Sequence, residues 1–168
     1  RRCPRMEGLD LATGVSTPHL YEVAAVGDRR GSVVAIDLGM KADIASNLSG
    51  RGLDVTVVPS GTAAADILAL EPNGVFVSNG PGDPEPLDST VATLRELLGV
   101  VPVFGICLGH QVLGLALGAA TFKLPFGHHG GNHPVRRMGD GKVEITAHNH
   151  GFAVDLWDLV DTAAPERT

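Results

Sequence analysis

This chain of 168 residues has few cysteines, no excess of positive charge and no long uninterrupted apolar run. Its two cysteines, Cys3 and Cys107, lie in unlike contexts, and no apolar segment of the signal-peptide type follows Arg1. We therefore expect a cytoplasmic protein with reduced thiols. The net charge of −6 argues against nucleic acid or an anionic membrane as the main partner. The longest apolar stretches, residues 100–106 and 112–120, are interrupted by proline or glycine, so no membrane span is predicted.

The hydropathy pattern divides the chain near residue 30. Hydrophobic residues make up 43% of the sequence, which is typical of a globular protein. The length suffices for one domain with a substantial core. Residues 1–30 show little periodicity, and we interpret them as a linker and the remnant of an upstream domain. Residues 31–168 are predicted to form a single domain.

From residue 31 onwards, predicted strands alternate with predicted helices. The strands are expected at residues 32–38, 53–59, 74–78 and 101–106, and the helices at 40–48, 62–70, 88–98 and 108–117. Continuous apolar strands separated by helices indicate a parallel sheet that is covered on both faces. Two further strands, 120–124 and 142–147, flank a loop rich in glycine and histidine. We therefore expect a three-layer α/β/α domain with a mostly parallel central sheet.

The octapeptide FGICLGHQ, residues 104–111, ends an apolar strand and opens a helix. Gly105 and Gly109, on either side of Cys107, allow a sharp strand-to-helix turn that projects the cysteine side chain into the open, as in a nucleophile elbow. An isolated cysteine is usually a small core residue. The flanking glycines and the polar residues that follow favour a nucleophile here.

The tripeptide Gly80-Pro81-Gly82 directly follows another predicted strand. On its own it would indicate only a turn. In a parallel sheet, however, ligands bind where the carboxyl ends of the strands meet, so we expect the tripeptide to lie near Cys107. Its backbone N–H groups, together with that of Leu108, would then serve as donors to a developing oxyanion.

As a set, these motifs resemble those of the class I (triad-type) glutamine amidotransferases. The family motifs are GICLGHQ at residues 105–111 and SNGPGDP at 78–84. The segments FGHHGGNHP at 126–134 and AHNHGFAV at 147–154 make the chain similar to the small chains of carbamoyl-phosphate synthases. The resemblance covers residues 8–155. It implies a flavodoxin-like amidotransferase fold, here truncated at the C-terminus.

The resemblance implies a role for each matching residue. Cys107 would attack the carboxamide of glutamine, form a γ-glutamyl thioester and release ammonia. The backbone N–H groups of Gly80 and Leu108 would stabilise the oxyanion. The chain itself would need no metal or other cofactor. The residues implied to bind glutamine are Gly80, Gly82, Leu108, Gln111, Asn149, Gly151 and Phe152.

The resemblance also implies a partner. Ammonia would pass to a large synthetase chain, which uses bicarbonate, ATP and Mg²⁺ to make carbamoyl phosphate for arginine and pyrimidine biosynthesis. The two chains would form a heterodimer or a higher oligomer.

One part of the family pattern is missing. The family's base is a histidine two residues before a glutamate, and no His-x-Glu follows Cys107. We therefore expect an incomplete amidotransferase domain with negligible glutaminase turnover on its own. Three alternatives stay open: a non-catalytic docking subunit of the same fold, the glutaminase domain of another amidotransferase, and a cysteine hydrolase that acts on peptides.

The remaining histidines suggest a metal site at first sight. His148 and His150 would lie on one face of a strand, but the histidine run further upstream is broken by two glycines. We expect hydrogen-bonding histidines and no metal site. His110, three residues after Cys107 on the same helix, is not expected to act as the base.

Overall fold

The computed structural model describes residues 5–156. Its main body is a five-stranded sheet with the strand order β1-β3-β2-β4-β5. Strands β2 to β5 run parallel to one another, and β1 pairs antiparallel with β3. The mostly parallel sheet predicted from the sequence is therefore confirmed. The strands are β1 (Tyr21–Val23), β2 (Gly31–Asp37), β3 (Leu53–Pro59), β4 (Gly74–Val77) and β5 (Val103–Gly105).

Four helices cover the two faces of this sheet, which gives the three predicted layers. Because successive strand residues face opposite sides, Val34 and Ile36 belong to the larger core, whereas Ala35 belongs to the smaller one. Helices α2, α3 and α4 pack on the larger core and α1 on the smaller. None of the helices in the described region is long and apolar enough to cross a bilayer. The helices are α1 (Ala42–Ser49), α2 (Ala64–Leu68), α3 (Asp88–Leu97) and α4 (Leu108–Ala116).

The residues before β2 are tied closely to the domain. Strand β1 is an edge strand of the sheet, Ala12 is buried in the larger core, and the Gly8 N–H donates to the Asp83 carboxylate. The interpretation of residues 1–30 as a linker is therefore wrong for Ala12 and β1. Their partners lie far along the chain, where local periodicity gives no information. The domain boundary near residue 30 stays a prediction.

A long antiparallel ribbon follows the main body. It consists of β6 (Ala120–Arg136) and β7 (Val143–Asp155), which pair only with each other among the described strands. The expected glycine- and histidine-rich loop is instead part of β6. Two register irregularities, between Lys123 and His128 and between Gly130 and His133, accommodate it. Bulges of this kind let a strand continue through residues of low strand propensity.

Strand β5 forms one edge of the main sheet, and none of the residues 5–156 pairs with its outer side. Phe104, on this strand, is 64% exposed although its ring lies against that of Phe76. Ile106, just after the strand, is 40% exposed. The described part of the chain thus leaves an apolar sheet edge open.

Candidate active site

Cys107 occupies a sharp turn between β5 and α4. Its backbone angles are φ 54° and ψ −111°, a region that residues with a side chain rarely adopt and that typically costs about 1–3 kcal/mol. Apart from Glu71, no other non-glycine residue in the described range has a positive φ. The strained turn has the backbone character of the nucleophile elbow that the sequence predicts.

Two glycines allow α4 to approach the strand ends this closely. A Cβ on Gly105 would lie 2.5 Å from the carbonyl carbon of Gly109, and a Cβ on Gly109 would overlap the carbonyl oxygen of Val77. Any larger residue at either position would push the helix away from the sheet. The glycines therefore fix the position of Cys107 relative to β4 and β5.

The loop after β4 is in contact with the cysteine turn. A Cβ on Gly80 would overlap the carbonyl oxygen of Leu38 and lie 2.7 Å from Cδ2 of Leu108. Gly82 has a φ of 94°, which favours glycine. The expectation that this loop lies near Cys107 is confirmed by the structure.

Asp83 holds this loop in place. Its Oδ1 accepts a hydrogen bond from the Glu85 N–H at 3.0 Å, and its Oδ2 accepts one from the Gly8 N–H at 2.8 Å. The carboxylate is buried. It thereby fastens the segment around Gly8 beside the loop.

The backbone N–H groups of Gly80 and Leu108 are available to a ligand. Among the backbone hydrogen bonds formed within residues 5–156, neither group donates to another protein atom. Both residues line the same cavity as Cys107. Unpaired N–H groups beside a nucleophile, one of them at a helix N-terminus, are suited to stabilising an oxyanion.

The cavity beside Cys107 has a volume of about 180 Å³. Drug-sized ligands usually occupy about 300–1,000 Å³, so this cavity suits a single small metabolite. The structure brings together at its wall every residue for which the sequence predicts a site role: Gly80, Gly82, Cys107, Leu108, Gln111, Asn149, Gly151 and Phe152. Their individual roles in binding and catalysis stay predictions.

Four further residues line the wall. Pro81 belongs to the tripeptide that the sequence places near Cys107, whereas Met6, His129 and His150 were missed by the sequence analysis. Met6 lies in the segment interpreted as a linker, and nothing in its surroundings marks it as a pocket residue. His129 and His150 stand in the two histidine-rich motifs, so the motifs themselves are the signal that could have identified them.

Helix α4 is joined to the ribbon through Gln111. This residue is buried one turn after Cys107, and its Nε2 donates to the carbonyl oxygen of Phe152 at 2.7 Å. The same carbonyl accepts a second hydrogen bond, at 2.8 Å, from Nδ1 of His150. Residues 149–152, which lie beyond the predicted strand at 142–147, are part of strand β7. Their pairing with β6 holds them against the cavity.

The Cys107 thiol contacts a backbone carbonyl rather than an imidazole. Its Sγ lies 3.8 Å from the carbonyl oxygen of Asn149. His129 donates from Nδ1 to Oδ1 of Asn149 at 2.8 Å, and His110 is exposed on the outside of α4. Within the described residues, the thiol has a hydrogen-bond acceptor and nearby oxyanion donors but no hydrogen-bonded base.

Comparison with known families gives a match over most of the chain. The family model described as glutamine amidotransferase class-I matches residues 34–166. The carbamoyl phosphate synthase small chain of Syntrophotalea carbinolica is 49% identical, and the alignment covers 97% of this chain and 46% of that protein. The protein of the same name from Rhodopirellula baltica is 58% identical, with 82% and 36% covered. The chain thus spans less than half the length of these relatives.

Solved structures agree on the fold. A GMP synthase subunit from Thermoplasma acidophilum superposes with a TM-score of 0.60 at 20% identity, covering 76% of this chain and 68% of that one. A glutamine amidotransferase from Thermotoga maritima gives a TM-score of 0.57 at 23% identity, covering 74% and 62%. At these identities the likeness shows a shared fold alone.

Proposed function

Since this chain belongs to the glutamine amidotransferase class-I family, we propose that it forms the nucleophile half of a glutaminase site, in which Cys107 attacks glutamine. The observation that supports this most directly is the cavity beside Cys107. There the thiol, the buried Gln111 and two backbone N–H groups that donate to no other atom of residues 5–156 share one wall. A nucleophile alone would fit many reactions, but together with oxyanion donors it fits acyl transfer.

The reaction proceeds in two steps. Sγ of Cys107 adds to the carboxamide carbon of glutamine, and the carbonyl oxygen becomes an oxyanion that accepts hydrogen bonds from the N–H groups of Gly80 and Leu108. The carbon–nitrogen bond then breaks, and the nitrogen leaves as ammonia after taking up the proton lost by the thiol. Water hydrolyses the γ-glutamyl thioester, which releases glutamate and restores the thiol.

The rest of the cavity wall holds the substrate. Gly82 and Gln111 lie on the side of the loop and helix, and Asn149, Gly151 and Phe152 lie on strand β7. The backbone groups of the strand and the Asn149 side chain offer donors and acceptors to the amino-acid end of glutamine. A cavity of about 180 Å³ suits a single amino acid.

The base belongs to another segment. The thiol of Cys107 meets the Asn149 carbonyl, which cannot take a proton, and no His-x-Glu follows Cys107 in the sequence. The histidine two residues before a glutamate that the family uses is therefore supplied from outside residues 107–168. Without it the chain alone turns over glutamine negligibly.

We further propose that the complete protein is the small chain of a carbamoyl-phosphate synthase. The identities of 49% to 58% to proteins of that name support this assignment. A large synthetase chain would then receive the ammonia and combine it with bicarbonate, using ATP and Mg²⁺ bound to that partner. On this proposal the protein works in the cytoplasm, in arginine and pyrimidine biosynthesis.

An electrophilic glutamine analogue tests the proposed site directly. A chloroketone that replaces the carboxamide of glutamine should add once per chain, at Cys107, and free glutamine should slow the reaction. Cys107→Ser should abolish the labelling, and the matched variant Cys3→Ser should retain it. Equal labelling of both cysteines, or labelling that glutamine does not slow, would contradict a glutamine site.

A further inference from the structure

Four histidines cluster on one face of the β6–β7 ribbon. His128 lies directly opposite His150 in the strand register, and His148 is two residues from His150, so its side chain is on the same face. The ring centroids of His128 and His150 are 4.9 Å apart, and those of His133 and His148 are the same distance apart, with the two rings tilted at 41°. The register irregularity between Gly130 and His133 is what brings this second part of β6 to the cluster.

Three of these rings present nitrogen atoms at the spacing of metal ligands. Nδ1 of His128 lies 3.1 Å from Nε2 of His150, and Nδ1 of His148 lies 3.3 Å from the same atom. One nitrogen from each ring is within 4.8 Å of the other two. Two nitrogens on a tetrahedral zinc ion, each about 2.0–2.1 Å from the metal, are about 3.3–3.4 Å apart.

Hydrogen bonds outside the cluster leave two lone pairs facing each other. Nδ1 of His150 contacts the Phe152 carbonyl, which only accepts, so the proton is on Nδ1 and Nε2 carries a lone pair. The Thr146 hydroxyl gives its proton to the His133 carbonyl and therefore accepts from Nε2 of His148. Nδ1 of His148 consequently also carries a lone pair.

With three neutral imidazoles, no hydrogen-bonding scheme within the described residues resolves this contact fully. A proton on Nδ1 of His128 satisfies Nε2 of His150, but Nδ1 of His148 then faces a second acceptor at 3.3 Å. The neutral imidazole is the form that binds metals.

We propose that Nδ1 of His128, Nδ1 of His148 and Nε2 of His150 bind a divalent transition-metal ion, for which Zn²⁺ is the best match. Three imidazoles without a carboxylate suit zinc and its neighbours and do not suit Mg²⁺ or Ca²⁺. The outer hydrogen bonds to Phe152 and Thr146 have the usual form of a metal site's supporting shell, because they set the tautomer and aim the ring. His128 is exposed, so solvent completes the coordination.

This site is distinct from the proposed glutamine cavity but shares one residue with it. His150 lines that cavity, whereas His128 and His148 do not. The glycines that interrupt the histidine run, on which the expectation of no metal site depends, do not exclude this proposed site, because its ligands come from two paired strands and not from one continuous loop.

Zinc titration of the full, chelator-treated chain tests the proposal. We expect one Zn²⁺ per chain by equilibrium dialysis, and Co²⁺ in its place should give the visible absorption of a tetrahedral site. His128→Ala, which alters an exposed side chain, should weaken binding by at least about 100-fold. Thr146→Val keeps all three ligands and should weaken it by about 10–100-fold, because it removes a supporting hydrogen bond.

Two control variants complete the test. His19→Ala, far from the ribbon in sequence, and Cys107→Ser should leave the zinc affinity unchanged. Circular dichroism should show that all variants are folded like the original chain. The proposal is overturned if the folded chain binds no zinc, or if its zinc affinity is the same in His128→Ala and His148→Ala as in the unchanged protein.

Discussion

The side-chain amide of Gln111 donates a 2.7 Å hydrogen bond to the backbone carbonyl of Phe152. This bond links the helix that begins next to Cys107 with the strand that carries Asn149 and Gly151. The two halves of the proposed glutamine cavity are thus held together by a buried polar contact. The carbonyl that accepts it is also bonded to His150.

Replacing Gln111 with Met should lower the free energy of unfolding by about 1 kcal/mol. Methionine has a similar volume but no donor, so the change removes the bond without opening a large cavity. The cost stays moderate because His150 still donates to the Phe152 carbonyl. Urea denaturation measures the difference. Leu117→Met, at an exposed site on the end of the same helix, should change the value by less than about 0.5 kcal/mol. A loss above about 3 kcal/mol for Gln111→Met would contradict this account.

Cys107→Gly should be more stable than Cys107→Ala by about 1 kcal/mol. Both variants lack the thiol, but only glycine adopts a φ of 54° without steric strain. The comparison isolates the strain because the two variants differ by a single methyl group. Thermal and urea unfolding of the pair provide the measurement. Equal stability would show that the turn is not strained.

Gly80→Ala should lower the free energy of unfolding by about 3 kcal/mol and abolish labelling by the glutamine analogue. The added Cβ would overlap the Leu38 carbonyl and press on Leu108, so the loop must move away from the cysteine turn. Gly61→Ala is the matched control, because a Cβ there meets nothing within 4 Å. Equal unfolding free energies and equal labelling of the two variants would contradict the prediction, because they would show that neither stability nor labelling depends on the close approach of the loop to the cysteine turn.

Stability should fall at acid pH partly through Asp54. A hydrogen bond from Arg29 and one from the Ala25 N–H lower the pKa of Asp54 in the folded chain. A carboxyl group with a lowered folded pKa stabilises the fold above its unfolded pKa, and this contribution disappears as the pH falls through the folded pKa. Asp54→Asn should therefore be less stable than the unchanged chain at neutral pH.

The difference in the free energy of unfolding between Asp54→Asn and the unchanged chain should disappear on acidification. Urea unfolding at a series of pH values measures this difference. Arg29→Met removes the partner that contributes most to the shift. The effect of Asp54→Asn should accordingly be smaller in that background. A difference in unfolding free energy that stays constant from neutral to acid pH would contradict the contribution of Asp54 to acid sensitivity.

The parallel part of the fold was predictable because its signals are local. Strand β3 was predicted with the bounds that the structure shows, and α3 and α4 end within one residue of their predicted ends. Each of these elements buries an apolar face whose period can be read from neighbouring residues. Strand β1 has three residues and depends on β3, so no local pattern marks it.

The ribbon was predicted only in part for a related reason. Glycine, asparagine and proline have little strand propensity, and β6 continues through these residues because β7 provides the hydrogen-bonding partner. The cavity residues were identified from motifs, whereas Met6 joins them through the Gly8–Asp83 contact, which spans 75 residues in sequence. The hydrophobic periodicity of a sequence gives no information on contacts between residues so far apart in the chain.

The open edge of β5 has a consequence for how the chain behaves in solution. No strand within residues 5–156 pairs with the outer side of β5, and Phe104 is exposed there, so this strand can offer its hydrogen-bonding groups to another extended segment. Two copies that meet at this edge would continue one sheet into the other, and the mutual repulsion of chains with a net charge of −6 opposes this. Since salt screens that repulsion, high ionic strength should favour paired copies, with no change in the fold of each copy.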